Sequence, residues 1–184
     1  GKGPDGDQVI DLCREICEVN VRGNWDEALA VIRDADWATP VQERLGPERL
    51  AWLGALPFAW DIVLGTSRVR LLHASPQGVF HRVQQGGDDA PKLAMFDTTA
   101  FTAPEFVPDV VGYGDIHTAY LRCFPGKILF NAGSVGNPLD LTKATYAVLE
   151  AAGDSLSVNL VYVAYDIEAE LARARASGMH GYAE

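Results

Sequence analysis

The sequence predicts an α+β protein whose sheets carry helices on their outer faces. Three observations predict it. Helix-period and strand-period segments alternate over the first part of the chain. Beyond Gly114 they give way to short strand-like runs separated by turn signals such as PGK and AAGDS. The length of 184 residues, 48% hydrophobic and 22% charged, suits a single globular domain over residues 1–184 with a core large enough to fold alone.

The elements follow in order. Asp5 to Glu18 reads as an amphipathic helix: Val9, Ile10, Leu12, Cys13, Ile16 and Cys17 recur at helical spacing, and Asp5 or Asp7 serves as its cap. Cys13 and Cys17 share a face and are expected to be buried core thiols rather than metal ligands. A short strand is expected at Glu18 to Val21. Arg22-Gly23-Asn24-Trp25-Asp26 then leads into a second helix running to about Arg33, and Pro47 opens a third that ends at Leu56. Strands are expected at Asp61 to Leu64 and Arg68 to His73. Gln84 to Pro91 reads as an exposed polar loop and Lys92 to Ala100 as a short helix. Val107 to Tyr113 is an apolar run of the buried-strand type. Strands at Thr118 to Cys123, Lys127 to Asn131, Ala144 to Glu150 and Ser155 to Val163 follow it. Asp166 caps a last, Ala-rich helix to Ser177, stopped by Gly178.

Charge and composition narrow the function classes. A net charge of −10 argues against duplex nucleic acid as a partner, because such proteins need a basic footprint. No apolar run is long enough to span a membrane, and the opening GKGPDGDQV has no signal-peptide pattern. Three cysteines, without zinc-finger spacing, fit a reducing compartment, so a cytoplasmic location is expected.

Three stretches place ligand-type residues just beyond apolar strands: Gly23-Asn24-Trp25-Asp26, Leu72-His73-Ala74-Ser75 and Gly114-Asp115-Ile116-His117. In open α/β sheets, sites gather beyond the carboxyl ends of strands. An amide carbonyl, an imidazole and a carboxylate together suit a hard or borderline divalent metal. Asp115 and His117, two apart on an extended segment, would face one side. Each feature also has a plainer reading. His73 reads equally as a buried, hydrogen-bonded histidine, Asn24 as a turn or helix cap, and Asp115 as a turn residue. Gly133-Ser134-Val135-Gly136 reads as a hairpin connection or as a backbone-amide nest approached by phosphate. His81 and His180 lie in polar surroundings and read as surface residues.

Taken in order, GN-x-D, a strand ending in His73, G-D-x-H and N-x-GSVG-x-P resemble the calcineurin-like metallophosphoesterases, and among them a small bacterial and archaeal branch of predicted phosphodiesterases. The resemblance covers nearly the whole chain, and its specificity lies in the ordered combination. It implies a four-layer αββα sandwich of two mixed β-sheets flanked by helices. It also implies two divalent ions (manganese, iron, zinc or magnesium) with Asn24, His73 and His117 as catalytic metal ligands. Asp115 stands where that motif more often has histidine; as a fourth ligand it would favour manganese, magnesium or iron over zinc. The implied reaction is hydrolysis of a small phosphate mono- or diester by a metal-activated hydroxide attacking phosphorus in line. Asn24, His73 and Asp115 would hold one ion and His117 the other. Asp26 and Asn131 are the candidates to orient the histidines, and Arg22 is a candidate charge for the phosphate. Partners beyond this substrate are not implied; the chain is compatible with a monomer or an oligomer.

Two departures qualify that reading. Trp25 replaces the usual histidine of GNHD and has no acid–base capacity; it is a candidate aromatic wall for a ring. The opening GKGPDG resembles the segment just after the family's Asp-x-His and Gly-Asp strands, so those ligands are absent from this chain. The first sheet is then expected to be incomplete, with an open apolar edge, in a fragment of a protein longer by roughly 40 to 50 residues. For this chain alone, weak or single-site metal binding and little hydrolysis are expected. A catalytically degenerate nucleotide- or protein-binding regulatory module is the alternative. Ser134 as a hydrolase nucleophile is the third reading, and GSVG lacks the strand–elbow–helix context for it.

Overall fold

The computed structural model describes residues 3–32 and 35–177. The fold class is the expected α+β: helices, a mixed five-stranded sheet and a separate two-stranded sheet. The chain divides into two compact units, one holding helices α1, α2, α3 and α5, the other all the strands and α4.

The helical unit contains α1 (Gly6–Ile16), α2 (Asn24–Val31), α3 (Thr39–Ala55) and α5 (Ile167–Ala176). Its core is Ile10, Leu29, Ala38, Leu45 and Leu53, with Trp25, Leu50 and Trp52 packed against it. The third helix begins earlier than the sequence suggested. Gly46, with φ +72°, breaks it, and Pro47 then opens the second stretch as predicted. Glycine is required there because a left-handed φ strains any side chain. Asp166 caps α5, its carboxylate accepting from the Ala169 N–H at 3.0 Å. The expected burial of Cys13 and Cys17 does not hold: Cys13 is half-buried and Cys17 exposed. The reason is that α1 ends at Ile16 and Cys17 turns extended, leaving the helical face. Val9, Leu12 and Ile16 are exposed as well, so Ile10 alone of that apolar set is buried. No strand forms at residues 18–21, where no ladder partner is present among the described residues. The expected helix end at Arg33 and stop at Gly178, and His180, lie outside the described residues.

In the second unit the strand order is β1 (Ala59–Leu64), β2 (Ser67–Leu72), β3 (Val110–Tyr113), β5 (Lys127–Asn131), β4 (Tyr120–Phe124). β2, β3 and β5 run parallel, and β1 and β4 pair antiparallel at the two edges. The second sheet is an antiparallel ribbon of β6 (Ala144–Ala152) and β7 (Ser155–Val163). One face of the large sheet packs Leu72, Val111, Tyr113 and Leu129 against Val83, Met95 and Phe96. The other packs Val69, Val110 and Phe130 against Ala147, Leu149, Leu156 and Val158 of the ribbon. The helix expected at residues 92–100 is shorter and earlier: α4 (Ala90–Leu93) runs into a 3₁₀ turn at Ala94–Phe96. Lys92 is buried there, and its ammonium donates to the Gly86, Gly87 and Asp88 carbonyls, which fixes the loop read as polar and exposed.

Two features hold the strands of this sheet together. Arg70 on β2 is fully buried, and its guanidinium grips Asp61 on β1 through bonds of 2.7 and 2.8 Å while Phe106 O accepts at 2.9 Å. Such a charge is tolerated inside only when paired and hydrogen-bonded. Gly112 lies in the middle of β3, where an added Cβ would sit 2.8 Å from both Leu71 Cδ2 and Phe130 Cε1. Overpacking of this kind costs about 1–3 kcal/mol. Gly112→Ala is therefore expected to lower the urea midpoint by that amount of stability with an unchanged m-value, and an unchanged midpoint would refute the close packing.

Candidate functional site at the carboxyl edge of the parallel strands

Because β2, β3 and β5 are parallel and in register through Leu71, Gly112 and Phe130, their carboxyl ends lie along one edge. The segments that leave them carry His73, Asp115 with His117, and Asn131 with the GSVG loop. The backbone ties them together: His73 O accepts from the N–H groups of Gly114 (3.0 Å) and Asp115 (2.9 Å), and Tyr113 O accepts from Ala132 N–H (2.9 Å). The convergence expected of three strand ends is thus present for the second and third stretches. Asn24, the first residue of α2, belongs to the helical unit, and its Oδ1 accepts from the Trp25 N–H at 2.8 Å.

Asp115 is the centre of this edge. It is 5% exposed, and its Oδ1 lies 3.5 Å from His73 Nε2. Arg82 grips both of its oxygens, Nε donating to Oδ2 at 2.7 Å and Nη2 to Oδ1 at 3.2 Å. Burial alone would raise the Asp115 pKa, but the His73 and Arg82 hydrogen bonds outweigh it and hold the carboxyl well below the usual carboxylate range. The same pairing raises the pKa of Arg82. Asp115 is therefore both a turn residue, as its plainer reading had it, and a buried anion.

The turn also corrects one geometric expectation. Gly114 O accepts from His117 N–H at 2.9 Å, so Asp115 and Ile116 are the central residues of a tight turn, and alternation along an extended segment does not apply. His117 has φ +56°, the one positive φ of a non-glycine among the described residues. Strain of this kind concentrates at functional sites. Its Nδ1 lies 2.8 Å from Asn137 O. A carbonyl only accepts, so Nδ1 carries a proton, and in the neutral ring the lone pair then falls on Nε2, the arrangement of a metal-ligating histidine. The Asn137 carbonyl therefore orients the His117 ring. Asn131 is buried and uses Oδ1 to accept from Gly133 N–H at 2.9 Å. Its buried Nδ2 has no hydrogen-bond partner among the described residues.

The GSVG segment is not a hairpin connection: it carries the chain from β5 in one sheet to β6 in the other. Gly133, at φ +73° and with Thr145 Cβ 2.8 Å from its would-be Cβ, admits no larger residue. Ser134 Oγ accepts from Asn137 N–H at 3.0 Å, the role of a turn brace rather than a nucleophile. Asp140 closes the loop through the N–H groups of Ala119 (2.9 Å) and Leu141 (2.7 Å). His81, read as an unpartnered surface residue, is exposed but has its Nδ1 2.9 Å from the hydroxyl of the buried Ser75. Trp25 meets Trp37 edge-to-face at 5.3 Å and packs on the helical core.

The donor chemistry of His73, Asp115 and His117 suits a divalent ion, and the His117 tautomer is the one ligation needs. Yet no group of three His, Cys, Asp or Glu side chains among the described residues is placed to hold one. Both Asp115 oxygens are also engaged by a guanidinium. These residues by themselves do not fit a two-ion centre.

No family model matches the chain, and no curated protein matches it. Among solved structures, a hypothetical protein from Pyrococcus horikoshii is similar with a TM-score of 0.75 at 18% identity, over 97% of this chain and 76% of that one. At that identity the likeness is one of fold, and it agrees with the α+β class expected from the sequence. A conserved uncharacterized protein of Streptococcus pneumoniae, a predicted phosphoesterase, has a TM-score of 0.48 at 13% identity over 89% of this chain and 87% of that one. Wild-type Vps29 of Entamoeba histolytica, complexed with zinc, has 0.41 at 20% identity over 59% and 61%. No helix among the described residues is long and apolar enough to cross a membrane.

The Asp115 pairing has a pH signature. A carboxyl whose folded pKa is depressed contributes stability that is complete above its unfolded value, about 3.9, and is lost as pH falls through the folded value. Asp115→Asn should cost about 2 kcal/mol at pH 7. The gap from wild type in urea unfolding should persist down to pH ~4 and close below it; a gap that closes above pH ~5 would refute the pairing.

Proposed function

We propose that the chain carries much of a metal-dependent phosphoesterase site, one that acts on a small phosphate mono- or diester. The observation that supports this most is positional. The histidine, the G-D-x-H turn and the N-x-GSVG loop, read in that order from the sequence, leave adjacent parallel strands at one edge, with His73 and Asp115 3.5 Å apart. Asn24, His73, Asp115 and His117 are the proposed ligands. Divalent ions would supply the activated hydroxide and the charge that binds the phosphoryl group. The chain's own residues orient and shape the site: Asn137 fixes the His117 tautomer, Asp140 and Ser134 set the loop, and Gly133 lets it pass beneath Thr145.

A second reading, a nucleotide- or protein-binding regulatory module without turnover, is favoured by the guanidinium on Asp115 and by Trp25, which has no acid–base group and packs on Trp37.

One assay separates the two. With manganese and a chromogenic phosphodiester, the purified chain should show slow hydrolysis with less than two tightly bound ions per chain, and His117→Ala should reduce the rate by about tenfold or more. Retained binding of the ester with no hydrolysis in the wild type would establish the module reading. Absence of both ester and manganese binding would remove the phosphoesterase assignment.

A further inference from the structure

We propose that Cys13 and Cys17 form a two-thiol modification site, in which Cys17 takes up a low-molecular-weight disulfide and Cys13 resolves the adduct. The proposal stands apart from the phosphoesterase reading. The two residues are four apart at the carboxyl end of α1, and the Cys17 N–H donates to Cys13 O at 3.0 Å, so the last turn is closed between them. Four residues of helix advance about 6 Å, which sets both thiols on one face a single turn apart. Their surroundings differ. Cys17 is exposed and Cys13 half-buried, so an incoming reagent meets Cys17 first. Burial, followed by the neighbouring Cys17 thiol and Asp26, pushes the Cys13 thiol up. Such a thiol is a poor first attacker, but it suffices for a second step made intramolecular by the adduct already formed.

The exchange balances. The Cys17 thiolate attacks one sulfur of the small disulfide, forming a mixed disulfide and expelling one thiolate. Cys13 gives its proton to solvent, and its sulfur attacks that of Cys17 and expels the second. Two protein thiols are oxidised to one disulfide, and one small disulfide is reduced to two thiols. Ring closure has a structural cost. The Cβ atoms of a helical pair four apart stand roughly 5–6 Å from each other, and a disulfide holds them at about 4 Å. The last turn of α1 must therefore draw in. Cys17 is placed to move, because its backbone is already extended, with ψ 130°, and its N–H is held by the bond to Cys13 O. A strained, exposed disulfide of this kind is readily reduced again, as a reversible modification requires and a structural cross-link does not.

The test exposes the full chain to glutathione disulfide at neutral pH, quenches with acid, alkylates the denatured protein and maps its cysteines by mass spectrometry. Wild type, Cys13→Ser, Cys17→Ser and Cys123→Ser are compared. The expected product in the wild type and in Cys123→Ser is a Cys13–Cys17 disulfide. Its formation should remove about one turn of helix signal from circular dichroism, and a roughly hundredfold excess of reduced glutathione should reopen it. Cys13→Ser should stop at the Cys17 mixed disulfide. In Cys17→Ser, Cys13 should react about tenfold or more slowly than Cys17 does in the wild type. Should a serine variant fail to fold, the wild-type map decides by itself. A mixed disulfide that persists on wild-type Cys17 would overturn the resolving role of Cys13 and the site with it. Equal modification of Cys13 and Cys17 without a link between them, or no reaction at either, would overturn it as well.

Discussion

A carboxylate placed almost wholly out of water must be compensated, and at Asp115 that requirement organises the carboxyl edge of the sheet. Its compensation comes from two separate segments. His73 directly follows β2, and Arg82 lies nine residues further on, past the turn closed by Ser75 and Gly78. The backbone adds its own ties, since the His73 carbonyl holds both Gly114 and Asp115. Neutralising one charge thus fixes the relative placement of the segments that follow β2 and β3. The same group would give the edge its chemistry, because it is a buried carboxylate seated against His73.

That arrangement depends on how closely three parallel strands approach. Phe130 and Leu71 both press on the position where Gly112 has no side chain, so β2, β3 and β5 are brought together by an absence. On the other side of β2, Arg70 and Asp61 supply a second buried ion pair, and this one binds strand to strand rather than loop to loop. The contrast between the two pairs is informative. Arg70 is fully buried and has a further backbone acceptor in Phe106, whereas Arg82 is half in water. The first has the burial and saturation of a structural pair. The second has a partner free to leave.

Much of this was legible in the sequence, for reasons that are physical. The strands at 61–64, 68–73, 127–131, 144–150 and 155–163 announce themselves by alternation and by Gly-rich turns, and the structure places strands over all five ranges to within a few residues. The Asp166 cap was readable because a cap is a local contact. What was not legible is what depends on distant partners. Arg82 pairs with a residue thirty-three positions away, and an isolated arginine in a polar stretch carries no local mark of it. Asn137 acts through its carbonyl, which every residue has. Cys17 was misplaced because the helix was extended two residues too far. The Asp115–His117 geometry was misread because a tight turn and a short extended run look alike in four letters. One question would have exposed Arg82: where the countercharge of a buried Asp115 comes from.

The charge balance of the edge bears on which ligand it could receive. The protein carries −10, so a phosphate ester approaches against an unfavourable overall field and needs a local positive charge to stay. With Arg82 on Asp115, the pair is neutral and the guanidinium's fork is turned inward, which leaves little to attract an anion.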